Sequence, residues 1–191
     1  MNLDGKQQKQ RQAGICRALG VVGLCVFLAA PLPAEKKSDR QTLTPAQIEE
    51  IREAGIDPDV RIGLYVKYLN EHIDTIRDLS KAGLSPSRVR RIDDELQTVA
   101  ALTDELGSNL DQYSERKADI RKALKKVNED LAKWQATVQA LPSNSVFEVS
   151  RADALESCQD LTKDAATMLA EQTAYFKEHK DQRGQERAEP Q

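Results

Sequence analysis

The side chains here that could do chemistry are few, and their spacing restricts them. Cys158 stands alone once Cys16 and Cys25, both near the N-terminus, are set aside. A solitary thiol closes no intramolecular disulfide. It is either a small core residue or, in an oxidising compartment, an intermolecular disulfide to another chain. As a nucleophile it would need a neighbouring base, and no histidine is placed to serve. His72 and His179 fall on different helical segments, and neither has a cysteine or second histidine at ligand spacing. Glu-x-x-His does not occur, so the carboxylate-bridged metal site of some helix bundles lacks its ligands. Gly63, Gly83, Gly107 and Gly184 are isolated, which leaves no phosphate-cradling loop, and no Gly-x-Ser-x-Gly elbow occurs. The expectation is a protein that is not an enzyme and carries no cofactor and no metal.

Charged residues are plentiful. Glu49-Glu50, Asp93-Asp94-Glu95 and Glu129-Asp130 read as solvated helix faces. Arg91 precedes Glu95 by four residues, as Lys126 precedes Asp130, so weak intrahelical pairs are expected. Arg88, Arg90 and Arg91 carry the wrong sign for the start of a helix. Arg116, Lys117, Arg121, Lys122, Lys125 and Lys126 form a denser run. Arg116, Arg121, Lys122, Lys125 and Lys126 are either a solvated face balanced by nearby acids or a contact for an acidic partner or an envelope polyanion.

The N-terminus reads as a targeting segment. Lys6, Lys9, Arg11 and Arg17 precede the apolar run Ala18–Ala30, and Pro31-Leu32-Pro33-Ala34 leads into Glu35-Lys36-Lys37. That order makes residues 1–34 a secretory signal peptide cut after Ala34. The alternative is an uncleaved anchor at residues 18–33, although the run falls short of the ~20 apolar residues that span a bilayer. Loss of 1–34 takes the net charge from −3 to −6. An acidic chain is a poor general binder of nucleic acid or anionic membrane. The expected location is the periplasm or the extracellular space.

The remaining sequence is helical in pattern. Aromatic residues make up 4% and charged residues 31% of the chain, which fits an all-α protein better than a sheet. Residues 35–43 read as a linker and 181–191 as a disordered tail, with a helical domain at 44–180. Thr44-Pro45, Asp57-Pro58 and Ser85-Pro86 each pair a capping residue with a first-turn proline, and Gln47 completes a capping box with Thr44. The first helix should run from Pro45 to Ala54 with Ile48 and Ile51 inward. The second should run from Pro58 to Ala82, ended by Gly83. The last should run from Ser145 to Lys180, with Val149, Leu155, Cys158, Leu161, Met168, Leu169, Tyr175 and Phe176 inward. The nine residues Asp57–Tyr65 resemble a segment of uncharacterised exported bacterial helical proteins. The resemblance covers that stretch alone and implies no known activity.

Between Ser85 and Leu141 apolar residues recur in steps of three and four: Val89, Ile92, Leu96, Val99, Leu106, Leu110, Tyr113, Ile120, Leu124, Val127, Leu131, Trp134, Val138 and Leu141. Thr103 and Lys117 occupy the stripe out of type. Because the heptad phase is unbroken, the pattern predicts one long helix, bent at most at Gly107, about 80 Å long at ~1.5 Å per residue. The expected fold is an elongated set of antiparallel helical hairpins around that helix. The alternative is a compact four-helix bundle folded at Gly107. The expected function is non-enzymatic, through helix–helix contacts with a protein partner or a second copy: a scaffold, adaptor or chaperone-like protein. The alternative is a small-molecule or metal-binding helical bundle with a pocket near Tyr65, Tyr68, Trp134 and Phe147.

Overall fold

The cap-plus-proline devices set the first three helix starts. The computed structural model describes residues 42–183. The predicted signal segment or anchor, most of the linker, and the tail beyond 183 lie outside the described residues. Helix α1 spans Pro45–Glu53, α2 Pro58–Lys81, α3 Pro86–Glu115, α4 Arg121–Gln139 and α5 Glu148–Glu178. Thr44 Oγ1 accepts from the Gln47 N–H while the Gln47 side chain accepts from the Thr44 N–H at 2.8 Å, closing the capping box. Asp57 Oδ1 accepts from the Asp59 N–H at 2.9 Å and Ser85 Oγ from the Arg88 N–H at 3.4 Å. Gly55 at φ +64° and Gly83 at φ +80° take the left-handed conformation that ends α1 and α2. Arg88, of unfavourable sign for α3, serves its neighbour instead: its guanidinium donates to the Ala82 and Gly83 carbonyls at 2.8 and 3.1 Å and caps α2.

All fourteen apolar stripe residues are buried, none more than 6% exposed. The stripe is nevertheless not one helix. It passes straight through Gly107, where Ser108 and Asn109 donate to the Asp104 and Glu105 carbonyls and so remain satisfied within the helix. It breaks at residues 116–120. Lys117 adopts φ +58°, its N–H donates to Ser114 O, and the Ala118 N–H donates to Tyr113 O, both at 3.0 Å. These are the two bonds of a Schellman ending, with lysine where glycine is usual. Buried Ala118 and Tyr113 supply its apolar contact.

The chain is all-α, and the break replaces the expected single long helix by two, giving the alternative expectation, a four-helix bundle, folded at 116–120 and not at Gly107. His72–Glu95 and Tyr65–Glu105 contacts place α2 antiparallel to α3. Asp59–Lys122 and Asn70–Trp134 contacts place α4 parallel to α2. Ser150–Asp93 and Leu161–Gly107 contacts place α5 parallel to α3, and Gln135–Thr162 with Ile120–Gln172 place it antiparallel to α4. Around the bundle the order is therefore α2, α3, α5, α4, and the α3–α4 turn crosses the diagonal. Among the described residues helix α1 packs against α2 alone.

Three smaller expectations also change. Ile48 and Val149, assigned inward, are 45% and 73% exposed. The inward face of α5 runs instead through Ser150, Ala154, Cys158, Leu161, Ala165, Met168, Gln172 and Phe176. Small residues dominate its middle, and helices approach closely there. At the ends, Leu43 of the linker is buried, and Lys180–Gln182 form a 3-10 turn tied to α5 by Arg183 Nε donating to Phe176 O at 2.8 Å.

Two glycine–side chain exchanges test this geometry. Lys117→Gly removes left-handed strain of about 1–2 kcal/mol. It also loses a lysine–Tyr175 ring contact at 5.7 Å, worth ~0.5 kcal/mol when exposed. A net rise of about 2–4 °C in Tm is expected. Gly107→Ala places its Cβ 3.5 Å from Leu161 Cδ1, ordinary contact, and gains helix propensity of up to about 1 kcal/mol. Thermal melts by circular dichroism check both, and a fall in Tm for Lys117→Gly would contradict the turn.

Candidate functional site

The basic run does not form a uniform cationic stripe. Arg121 lies on the turn side of α4, where Nε and a terminal nitrogen each sit 2.7 Å from an Asp119 carboxylate oxygen. Its plane lies 4.8 Å over the Phe176 ring, and Asp119 raises its pKa. Lys126 belongs to a different group. Its Nζ is 3.0 Å from one oxygen of Asp130, and Lys133 Nζ is 2.8 Å from the other. Asp130 is 2% exposed. Burial pulls its carboxyl up, but the Lys133 and Lys126 ammonium groups outweigh burial and hold it below the usual carboxylate range. Arg116 lies 5.7 Å over the Tyr113 ring.

Lys122 and Lys125 stay exposed and border a cleft of about 540 Å³ with Asp59, Asp119, Arg121 and Thr173. Asp59 approaches Lys122 at 3.8 Å. Beside it, between α2 and α4, a smaller cleft of about 130 Å³ lies over Gly63 and Ala123. Asp59 and Asp119 offset two of the three cations Arg121, Lys122 and Lys125, so the cleft keeps one net positive charge. The cleft is therefore of mixed charge and not uniformly basic. The five basic residues are thus divided among an aromatic stack, a buried carboxylate and a mixed cleft.

Cys158 lies at the α5–α3 contact and is 0% exposed. Burial pushes its thiol up to about 11, so almost no thiolate exists at neutral pH. An intermolecular disulfide there would require the bundle to open, so Cys158 is placed as a core residue. The aromatic pocket expected around Tyr65, Tyr68, Trp134 and Phe147 is packed core, each residue at most 4% exposed. Trp134 Nε1 donates to Asn70 Oδ1 at 2.8 Å. Burial, then the Glu105 and Glu50 carboxylates, raise the Tyr65 and Tyr68 pKa values.

His72 Nδ1 lies 2.6 Å from Glu95 Oε2, between α2 and α3. That contact, with Arg91 beyond it at 3.6 Å, holds the Glu95 carboxyl low. His179 stacks on Tyr175 with ring centroids 4.1 Å apart. Among the described residues no three His, Cys, Asp or Glu side chains converge as metal ligands, and no helix is long and apolar enough to cross a membrane.

The polar residues that the sequence did not single out join helices. Gln172, buried on α5, accepts from the Ile120 N–H at 3.1 Å and donates to Ala118 O at 3.0 Å, clamping both sides of the α3–α4 turn. Ser150 Oγ donates to Asp93 at 2.5 Å. Gln135 Nε2 donates to Cys158 O and Thr162 Oγ1 at 3.1 and 2.8 Å. The only sequence signal for Gln172 and Ser150 was their place on the α5 stripe.

Two measurements follow from this chemistry. In native buffer Cys158 should resist alkylation by iodoacetamide and react on unfolding. The chain should run as a monomer on non-reducing gels, and a disulfide dimer formed under native conditions would contradict the burial. Asp130→Asn should cost about 1–2 kcal/mol at pH 7 through loss of charge-assisted bonds. A depressed carboxyl contributes above its unfolded pKa and loses that contribution as pH falls through its folded pKa. The gap between variant and parent in thermal melts should therefore shrink below about pH 4. Comparison of the chain with protein-family models, with curated proteins and with solved structures finds no match.

Proposed function

We propose that this chain is an exported, non-enzymatic helical bundle that acts by helix-to-helix contact with a protein partner, as a scaffold, adaptor or chaperone-like protein. What carries the reading is where the reactive side chains are engaged. Glu50, Glu95 and Glu105 meet Tyr68, His72 and Tyr65 on α2, Asp93 meets Ser150, and Gln172 holds a turn. Each of these joins one element of the bundle to another.

The surface supplies places for contact. Ile48, Ile56 and Val60 lie 45–68% exposed on α1 and the α1–α2 corner. Leu84, Val146 and Val149 are exposed at the turns of the opposite end. Aliphatic groups set among charges suit recognition of another helical surface. Export rests on the N-terminal sequence pattern, as does the periplasmic or extracellular location.

The test is capture from a native envelope fraction with the tagged full chain. A protein recovered in stoichiometric amount, and lost with the paired substitution Ile56→Asp and Val60→Asp, is the expected result. Recovery of the chain alone, as a monomer, would overturn the reading.

A further inference from the structure

Helix α1 differs from the rest of the bundle in how it is held. Of its nine residues only Ile51 is buried, and among the described residues it packs on α2 alone. Leu43, just before it, is the other apolar anchor. Two polar latches complete the attachment. Glu50 accepts from Tyr68 Oη at 2.6 Å and from Lys67 Nζ at 3.1 Å. At the other end Thr42 Oγ1 donates to Glu105 at 3.4 Å, and the same carboxylate accepts from Tyr65 Oη at 2.7 Å. Gly55, in the left-handed conformation with open space around it, joins the element to α2.

Two aliphatic side chains and two latches are a small attachment for a whole segment, and such segments open without unfolding the core. Helices α2, α3, α4 and α5 pack on one another around the apolar seam, and among the described residues α1 meets only α2 of these. What α1 covers is chemically distinct, because buried Tyr68 and Tyr65 turn their hydroxyls to carboxylates at its edge and Lys67 stands beside them.

We propose that α1 is a detachable strap, and that the face of α2 beneath it docks a helix of another protein carrying a carboxylate followed by a branched aliphatic residue, as Glu50-Ile51 do here. The Lys67 ammonium and the Tyr68 hydroxyl donate to the incoming carboxylate, and the apolar site vacated by Ile51 takes the aliphatic side chain. Charge complementarity chooses the occupant: a basic helix would set its cations against Lys67 and leave the Tyr68 hydroxyl without its acceptor. This inference rests on the contact reading above and adds to the exposed aliphatic groups named there a covered face and the partner chemistry it takes.

The experiment uses the full chain and a fluorescent peptide of residues 42–55 as the probe. Native-state hydrogen exchange of the parent should show α1 amides exchanging at least a hundredfold faster than those of α3, and exchange of α1 together with the bundle would overturn the strap. Ile51→Asp, which loosens the chain's own α1, should bind the peptide at least tenfold more tightly than the parent does, by fluorescence anisotropy. A Glu50→Ala peptide should bind at least tenfold more weakly than the unaltered one. Equal binding by parent and variant, or no binding to either, would overturn the docking site. Protection of the α3 and α5 amides in Ile51→Asp establishes that its bundle is intact; should that protection be lost, Glu50→Ala in the chain replaces it with the same expected outcomes. A parent dimer dissolved by the peptide would make a second copy the occupant and overturn the foreign helix. An envelope partner captured equally by parent and Ile51→Asp leaves the contact reading standing and overturns the strap. Peptide binding without any envelope partner does the reverse.

Discussion

The fold depends on turning an uninterrupted apolar seam back on itself. Fourteen buried side chains run from α3 through the turn and α4 to Leu141, and a straight helix would need an external surface to cover them. The turn at 116–120 brings both halves into one core, with α2 and α5 as the other walls. Its backbone is held by the two Schellman bonds and by the Gln172 amide, which serves a carbonyl on one side and an N–H on the other. That amide lies among buried residues, where an unmet donor or acceptor is costly, so the turn and the position of α5 fix one another.

Much of this was legible in the residues. Thr44, Asp57 and Ser85 with their prolines marked three helix starts, because capping is local chemistry between neighbours in sequence. The burial of the stripe followed from its period. The turn was hidden for a specific reason: Tyr113 and Ile120 are seven residues apart, so the heptad phase survives the interruption. The usual glycine signal was also missing, since Lys117 takes the left-handed position while Gly107, the obvious breaker, is an ordinary helical residue close to Leu161. At Val149 position on the helix outweighs hydrophobicity: it is exposed, and polar Ser150 beside it faces the core instead.

The basic run shows a different limit. Sequence displays charges but not their partners across helices. Arg121 and Lys126 serve partners close in sequence, Asp119 and the buried Asp130, the second already given by its i,i+4 spacing, whereas Lys122 faces Asp59 from another helix. The buried Asp130 is met within its own helix, while half-buried polar pairs join α2 to α3. Glu95 against His72 and Glu105 against Tyr65 fix α2 along α3 at two heights.

The diagonal crossing also bears on the order in which the chain can assemble. Helices α3 and α4 follow one another in sequence yet share no interface, so their connection gains nothing from the mutual zipping that lets a hairpin form by itself. Helices α2 and α3, joined by a short loop and packed side by side, have that advantage. The corner at Lys117 must wait for a residue fifty-four positions beyond Ala118. During synthesis it therefore stays unclamped until Gln172 has emerged, and the seam it will enclose is open to water, or to a chaperone, for that interval.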